Sequence, residues 1–489
     1  MSLKNKAVSG AFWTFIQQFS VQFINFAVQI ILARLLLPRE FGLIAMIAVF
    51  IAIGNKLTDG GMTSSLIRTT NPDHEDYSTV FYMNILVSIV TYIIIFLFAP
   101  FIARFFEHSI LRPLIRVFSL SIIIRAFVGV QTTILTKEMK FKVQMRMQIP
   151  SIIVGGIVGI AMAYAGYGVW SLVYMNLISS VLFTVQHWFY SPWRPSFIIN
   201  KKKLKYHFDF GYKLTLSGLL NALFDNIYNI IIGKFFTPVL LGLYNRAYTL
   251  QLFPSQNIST ALEKVTYPVF AAIQNNDKKL KTVYRLLMQQ VVFWIAPLMI
   301  FSAILAKPLF SLVLTDKWLP AVRYFQILGV VGVLYPLQQY NLNILRVKGR
   351  SDLILKLNLY KKLTLFAGIA VAITYGVMGL VILQAVGAII GYFYNSHYSG
   401  KFIDYSTTDQ VKDILPLLIL ALICGSVVYF SYQTLYYDWY DSYQLLLGFA
   451  SGFILYIGLA FLFKVNALSV FKDLIVGKLK GKLKKGFLK

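Results

Sequence analysis

Residues 31–43 of this chain read ILARLLLPREFGL, and residues 231–243 read IIGKFFTPVLLGL. The two segments align without a gap and share a basic residue, a proline, a glycine and the leucine that follows it. In each segment an apolar run ends near the basic residue. Proline cannot continue a helix, so a new helix is expected to begin there. The repeat therefore predicts two copies of one helical unit, offset by 200 positions.

A second pair of segments supports this repeat. Residues 167–173 (YGVWSLV) resemble residues 375–381 (YGVMGLV), and both fall at a tight turn between the fifth and sixth predicted helices of their half. Because six is even, both copies would enter a membrane from the same side, as in transporters built from parallel repeats. Two such bundles are expected to enclose a central cavity that opens to either side in turn.

The composition is that of a membrane protein. The chain is 57% hydrophobic and only 13% charged, whereas soluble domains carry about 25% charged residues. Residues 85–102 and 415–432 contain no charge, and about 18 such residues can cross a hydrocarbon core of ~30 Å. The apolar stretch from Ala11 to Leu32 is too long for a signal peptide, so we interpret it as the first membrane helix.

We predict an all-α protein with about fourteen transmembrane helices. They cover residues 11–33, 41–58, 79–103, 112–135, 149–166, 168–190, 209–235, 240–263, 285–306, 322–345, 357–375, 377–397, 413–433 and 443–463. The predicted domains are an N-terminal lobe (1–200), a C-terminal lobe (201–400), two extra helices (401–464) and a basic amphipathic tail (465–489) on an anionic cytoplasmic leaflet.

The net charge of +27 is explained by topology rather than by nucleic-acid binding. With the N-terminus in the cytoplasm, roughly 35 of the 46 lysines and arginines fall on the cytoplasmic side. This bias predicts that both termini are cytoplasmic.

Polar side chains follow one face of two predicted helices. They are Gln18, Gln22, Asn25 and Gln29 in the first helix, and Asn221, Asp225 and Asn229 in the seventh. A shift of 200 positions places Asn25 on Asp225 and Gln29 on Asn229. We interpret the two stripes as lining the central cavity. The alternative is hydrogen bonding between packed helices.

Two arginines are expected within the membrane, Arg125 in the fourth helix and Arg246 in the eighth. A charge at that depth must be paired, reach the interface or face water. One interpretation is a structural ion pair, with Asp225 as the partner. The other is a cationic cavity for an anionic headgroup, because a guanidinium binds phosphate oxygens in a bidentate fork. Lys56 is expected either to bound the same cavity or to extend to the interface.

Motifs of enzymes are absent from the sequence. It has no P-loop, HExxH or GxSxG, and its five histidines lack metal-ligand spacing. Cys424 is the only cysteine, which excludes an intrachain disulfide and a cysteine metal cluster. We therefore predict a non-enzymatic transporter with no catalytic residue, metal or cofactor. Any pumping would draw on an ion gradient, the membrane potential or the flux of substrate.

Several segments resemble the Wzx-type polysaccharide exporters (O-antigen flippases), particularly the colanic acid and teichuronic acid exporters. These segments are residues 35–46 (LLLPREFGLIAM), 59–62 (DGGM), 66–68 (LIR), 78–84 (STVFYMN), 166–173 (GYGVWSLV), and 267–270 (YPVF) with Gln274. Such exporters belong to the multidrug/oligosaccharidyl-lipid/polysaccharide superfamily. The resemblance covers the first six helices best and extends through the eighth.

The resemblance implies two six-helix lobes, two trailing helices and alternating access. It implies that oligosaccharide units on undecaprenyl pyrophosphate are flipped across the bacterial cytoplasmic membrane, for surface polysaccharides such as lipopolysaccharide. The implied partners are the lipid-linked oligosaccharide and polysaccharide polymerase machinery, besides the anionic lipids under the tail, and no nucleic acid. Coupling to H⁺ or Na⁺ is compatible with the family, with Asp225 the best carboxylate for it. That Arg125 and Arg246 bind the headgroup is our own inference.

Two other functions were weighed. A cation-coupled multidrug antiporter of the same superfamily should prefer an acidic cavity, whereas the two arginines favour an anionic substrate. A membrane glycan polymerase or ligase would need a sizeable outer loop, and the predicted outer loops are short.

Overall fold

The computed structural model describes residues 3–468, with side chains from residue 17 onward except those of residues 261, 262, 264 and 265. Every regular element within residues 3–468 is an α-helix or a 3₁₀-helix. The predicted all-α architecture is therefore confirmed. Most of the predicted amphipathic tail, residues 469–489, lies outside the described residues.

The chain is a multi-pass membrane protein. Among the described residues, ten helical segments are long and apolar enough to cross a membrane, and a bent helix pair raises this number to eleven. One of the ten, Ser351–Ile403, is 53 residues long and is interrupted by a 3₁₀ turn at Ile373–Tyr375. The predicted seventh and eighth spans carry many polar residues and are not among the ten. The total of fourteen spans stays a prediction.

The chain divides into two compact units, Met1–Asn245 and Arg246–Lys489. The lobe boundary at residue 200 concerns the sequence repeat, and it stays a prediction. The helices of the first unit are α1 (Leu3–Leu35), α2 (Pro38–Asp59), α3 (Met62–Arg68), α4 (His74–Phe105), α5 (Leu111–Phe118), α6 (Leu120–Ala126), α7 (Gly129–Lys137), α8 (Phe141–Tyr164), α9 (Val169–Tyr190), α10 (Lys201–Asp225) and α11 (Ile227–Phe235). Helix α12 (Pro238–Ala272) begins in this unit.

Two predicted spans are broken helices. The fourth consists of α5, α6 and α7, with a bend of 44° between Ala126 and Gly129. The seventh consists of α10 and α11, which meet at Asn226. Each break lies beside a predicted site residue, Arg125 in one case and Asp225 in the other. Breaks within membrane helices free backbone groups that need polar partners, so they tend to mark cavities.

Glycines hold the two ends of α2 close to α12 and α10. At the Pro38 end, a Cβ on Gly42 would lie 1.8 Å from the Pro238 carbonyl oxygen, and a Cβ on Gly242 would lie 1.9 Å from that of Pro38. These contacts are reciprocal, so the two equivalent segments of the repeat cross each other around a local two-fold axis. Only glycine permits so close an approach of two backbones.

The Asp59 end of α2 meets α10 in a similar way. A Cβ on Gly61 would lie 2.5 Å from the Gly211 carbonyl oxygen, and a Cβ on Gly211 would lie 2.2 Å from that of Gly60. Gly60 and Gly61 have φ values of 51° and 64°, in the left-handed region that favours glycine. The turn ends α2 and starts the short helix α3, which the sequence did not predict.

Buried polar groups surround this second contact. His207 of α10 is fully buried. Its Nδ1 lies 2.8 Å from the Ser65 hydroxyl, and its Nε2 lies 3.2 Å from Oδ1 of Asp76. Lys203 forms ion pairs with Asp73 and, at 3.4 Å, with Asp76. Asp76 also accepts a hydrogen bond from the Asp73 backbone N–H at 3.0 Å, which completes the cap of α4.

The second unit has its own core. Its helices are α13 (Asp277–Ile304), α14 (Ala306–Leu314), α15 (Val322–Val347), α16 (Ser351–Ala372), α17 (Gly376–Ile403), α18 (Thr407–Leu435) and α19 (Asp441–Leu462). Tyr284 and Ser399 donate hydrogen bonds to the side-chain oxygen of Asn341, at 2.9 and 2.5 Å. Cys424 on α18 is completely buried in this core.

Candidate substrate-binding cavity

The α6–α7 break is supported by α9. The backbone carbonyls of Ile124 and Phe127 accept hydrogen bonds from the Thr184 hydroxyl at 3.1 Å and from the Trp188 indole at 3.0 Å. These are carbonyls that a continuous helix would have used internally. The two donors are four residues apart, so they lie on one face of α9.

Arg125 lies directly beside this break. Its Nε donates to the Ser180 hydroxyl at 3.4 Å, and Ser180 is one helical turn before Thr184 on the same face of α9. The Arg125 side chain is exposed, whereas Ser180 is buried. The guanidinium is thus anchored through its Nε.

The Arg125 side chain lines a cavity of about 290 Å³ in the first unit. Five hydroxyl or amide side chains share its wall, namely Thr132, Gln148, Ser151, Ser179 and Ser180. Gln148 accepts a hydrogen bond from Gln17 of α1 at 2.8 Å, and Ser151 accepts one from Gln186 at 2.8 Å. The wall therefore has one fixed cation and several neutral groups that can donate or accept hydrogen bonds.

This chemistry suits an anion. Ligand cavities usually measure about 300–1,000 Å³, so a cavity of about 290 Å³ is large enough for a phosphate-sized group but not for an oligosaccharide. A guanidinium with surrounding hydroxyl and amide donors is a typical set for phosphate oxygens. All residues of this wall are described by the structure. Among them, Arg125 carries a charge and none is an aspartate or glutamate.

The predicted polar stripe on α1 is partly accessible. Asn25 is exposed, and Gln22 and Gln29 are half-buried. Helix α1 packs along α8, where Gln17 meets the cavity wall. Gln17 is the α1 residue that reaches this wall, and it was not part of the predicted stripe. That the stripe lines a cavity stays a prediction.

The second predicted stripe lies at the α10–α11 break. Asn221 and Asp225 are exposed, and Asn229 is half-buried. The Asn229 amide donates to the side-chain oxygen of Asn226 at 3.3 Å and accepts from Asn245 at 3.5 Å. These amides gather where the backbone of the predicted seventh span is interrupted.

Lys56 lies beside α10. A Cβ on Gly218 would lie 3.4 Å from Cδ of Lys56, so the lysine stem covers this glycine. Its side chain is exposed, as is that of Asp59 at the end of α2. The structure thus places Lys56 against the helix that carries Asn221 and Asp225.

Arg246 has a different environment. It is 6% exposed, and its guanidinium carbon lies 5.6 Å from the ring centroid of Trp318, which is fully buried. A cation stacked on a buried indole stabilises the packing of the second unit. Its predicted contact with a substrate stays a prediction.

Sequence reasoning missed the residues that build the cavity around Arg125. Ser180, Thr184 and Trp188 recur every four residues on α9, and this spacing is a signal that they share a face. Gly129 directly after the break was another signal, because glycine in a membrane helix often marks an irregularity. The contribution of α8 depends on tertiary packing, so no local sequence pattern predicts it.

Comparisons with known proteins agree with this architecture. Residues 31–323 match the sequence model of a family described as polysaccharide biosynthesis protein. The lipopolysaccharide biosynthesis protein WzxC of Escherichia coli (strain K12) is 24% identical over 80% of this chain and 81% of its own length. The teichuronic acid biosynthesis protein TuaB of Bacillus subtilis (strain 168) is 24% identical over 93% of this chain and 95% of its own.

A solved structure has a similar fold. The lipid II flippase MurJ in an inward closed conformation superposes with a TM-score of 0.75, at 15% identity, over 96% of this chain and 100% of its own. At this identity the similarity concerns the fold.

Proposed function

This chain belongs to the polysaccharide biosynthesis protein family, and on that premise we propose that it is a flippase for lipid-linked oligosaccharide units. The substrate would be a short glycan on undecaprenyl pyrophosphate, moved across the bacterial cytoplasmic membrane by alternating access. Relatives named for the biosynthesis of lipopolysaccharide and teichuronic acid support a role in surface polysaccharide synthesis.

The Arg125 cavity is the main observation that supports a substrate with an anionic headgroup. A flippase for a lipid-linked glycan must hold an anionic headgroup while the polar sugars cross the membrane. One guanidinium among hydroxyl and amide groups offers charge-assisted hydrogen bonds to a pyrophosphate. We assign the headgroup to Arg125, with Gln148 and Ser179 as supporting donors. Lys56 and the stripe of Asn25, Gln22 and Gln29 would face the sugars.

The α10–α11 break supplies the site proposed for ion coupling. Asp225 is an exposed carboxylate next to an interrupted backbone, and Asn226 and Asn229 add amide oxygens nearby. Backbone breaks of this kind coordinate coupling ions in membrane transporters. We propose that Asp225 binds H⁺ or Na⁺, that Asn221 and Asn229 line the same passage, and that both termini are cytoplasmic.

The test is transport by the full chain in proteoliposomes. Labelled lipid-linked glycan is supplied in one leaflet, and its appearance in the other is measured. Arg125→Ala should lower the transport rate about 10- to 100-fold, because a hydrogen bond to a charged group contributes ~1.5–3 kcal/mol. Arg125→Lys retains the charge without the planar fork, so its rate should be intermediate.

Arg112→Ala is the matched control, since Arg112 is an exposed arginine of the same unit on α5, outside the cavity. Its rate should equal that of the unmodified protein. Full transport by Arg125→Ala, or an equal loss in both variants, would refute the headgroup site. Transport of a cationic drug in place of the glycan would favour the multidrug antiporter.

A further inference from the structure

A second cavity lies in the Arg246–Lys489 unit. It measures about 670 Å³ and lies between α13, α18 and the chain that follows α19. Its wall has a basic end with Arg285, Lys412 and Lys464, and an apolar side formed mainly by α18. Lys412 is near the start of membrane helix α18, and Lys464 is two residues beyond the end of α19. The basic end is therefore at the membrane surface.

The one carboxylate in this wall is already engaged. Asp413 accepts hydrogen bonds from Arg285 and from the Tyr405 hydroxyl. With three cations and a single carboxylate, the wall retains an excess of two positive charges. Lys412 and Lys464 are both exposed. An anion at this end would therefore meet two exposed ammonium groups, with Asp413 neutralised beneath it.

The backbone at Lys464 turns the chain back after the end of α19. This residue has φ 50°, in the left-handed region, where a glycine usually ends a helix. A lysine costs roughly 1 kcal/mol there. The turn is closed by the Val465 N–H, which donates to the Ala460 carbonyl at 2.9 Å, and the Gln290 amide donates to the Ala467 carbonyl at 2.5 Å. The chain is thus folded back to form a wall of the cavity.

An apolar stripe continues from the basic end toward the middle of the membrane. Leu415, Ile419 and Ile423 of α18 are 46%, 46% and 52% exposed, and all three line the cavity. A spacing of four residues places them on one face, over about 12 Å of helix. A basic end followed by such a stripe matches one molecule with an anionic head and a hydrocarbon chain.

We propose that this cavity binds an anionic phospholipid of the surrounding leaflet, with the phosphate at Lys412 and Lys464 and an acyl chain along the α18 stripe. The charge selects this occupant. A zwitterionic lipid carries no net charge and gains little from two ammonium groups, whereas an anionic lipid is attracted by both. The site shares no residue with the cavity around Arg125, so the two assignments can fail independently.

The test is the thermal unfolding midpoint of the purified full chain in detergent, titrated with dioleoyl phosphatidylglycerol or dioleoyl phosphatidylcholine. Only phosphatidylglycerol should raise the midpoint. Lys412→Gln and Lys464→Gly should each raise the half-saturating phosphatidylglycerol concentration about fivefold, because one lysine near an anionic lipid contributes ~1 kcal/mol. The double variant should raise it about 25-fold if the two act independently.

Two controls separate this site from general attraction of a basic protein for anionic lipid. Lys464→Gly should be at least as stable as the unmodified chain in phosphatidylcholine, because glycine fits the left-handed conformation. Lys278→Gln removes the charge of an exposed lysine outside the cavity and should leave the titration unchanged.

Equal stabilisation by both lipids would overturn the proposal, as would an equal loss in Lys278→Gln. Displacement of phosphatidylglycerol by a neutral polyprenol would also overturn it, because the cavity would then hold the hydrocarbon chain of the substrate.

Discussion

The two ends of α2 use the same steric device in different electrostatic settings. At the Pro38 end, Gly42 and Gly242 bring two backbones together. The ion pair found near that end joins Lys234 to the largely exposed Glu107 at 2.7 Å. At the Asp59 end, Gly61 and Gly211 make the contact, and buried ionisable groups surround it. Close packing of this kind occurs at both ends, and the Asp59 end also contains a fully buried histidine, His207, that can respond to pH.

The largest loss of stability is expected when a methyl group is added to a contact glycine at either end of α2. Gly42→Ala and Gly211→Ala should each lower stability by about 3 kcal/mol, because the new methyl group overlaps a backbone oxygen. The thermal unfolding midpoint in detergent measures this loss. Gly458→Ala is the control, since a Cβ there meets nothing within 4 Å. If Gly42→Ala and Gly458→Ala were equally stable, the crossing of α2 and α12 would not hold the unit together.

The next largest loss of stability is expected from the buried polar network that only the Asp59 end of α2 adjoins. Asp76 caps α4 and also contacts His207 and Lys203. Asp76→Ala should therefore cost about 2 kcal/mol, from a lost cap and an unsatisfied buried partner. Asp59→Ala, at an exposed position at the end of α2, should change stability by less than about 0.5 kcal/mol. Similar midpoints for the two variants would show that the buried network contributes no stability.

A smaller loss of stability is expected when the pH is lowered. Burial holds the pKa of His207 below its ordinary value, and this effect outweighs the opposing effect of the hydrogen bond that His207 makes to the Asp76 carboxylate. The folded state thus favours neutral imidazole, and the unfolded state binds more protons below about pH 6.5. The contribution of His207 to stability is complete above that pH and declines as pH falls through the folded-state pKa.

The matching measurement is the unfolding midpoint at several pH values from about 7.5 to 5. His207→Gln should flatten this profile, and Gly42→Ala should shift it downward without changing its shape. A pH profile of His207→Gln as steep as that of the unmodified chain would assign the pH response to other groups.

The smallest effect is expected from the two ion pairs. Lys203→Met should cost more than Lys234→Met, because Lys203 contacts three carboxylates and Lys234 contacts one. The loss in Lys234→Met should stay below about 1 kcal/mol, since Glu107 is solvated. The loss in Lys203→Met should exceed it, because the partner Asp76 is buried. The Lys203 hydrogen bond lowers the pKa of Asp73 to about 2.

The Lys203–Asp73 contribution should therefore be complete above the ordinary aspartate pKa near 4 and be lost as pH falls toward 2. Titration of Asp73 in Lys203→Met should return toward the ordinary range. An unchanged Asp73 titration would contradict the ion pair.

Much of the helix order followed from the sequence, because charge-free runs and proline starts are local signals. The predicted spans at 41–58 and 168–190 differ from α2 and α9 by only a few residues. The breaks at Phe127 and Asn226 were missed, since an apolar run looks the same whether its helix is straight or bent. The repeat alignment paired Gly42 with Gly242 in sequence, but their contact in space requires the assembled unit.

The candidate site was predictable only in part. Arg125 stood out because a charge inside a membrane segment needs a polar environment. Its environment, however, comes from α8 and α9, which lie far from it in sequence. For Arg246 the same rule suggested a cavity, which stays a prediction, and the structure shows a buried indole beside its guanidinium. The rule demands a polar or aromatic partner for the charge and does not say which one.

The burial of Cys424 makes this chain a convenient host for spectroscopic labels. Its thiol is 0% exposed and is the only one in the sequence. A single cysteine introduced at the exposed positions Asn25 or Asp225 can then carry a spin label or fluorophore without first removing the native thiol. A pair of such labels would report the distance between the repeat-equivalent stripes in the purified protein.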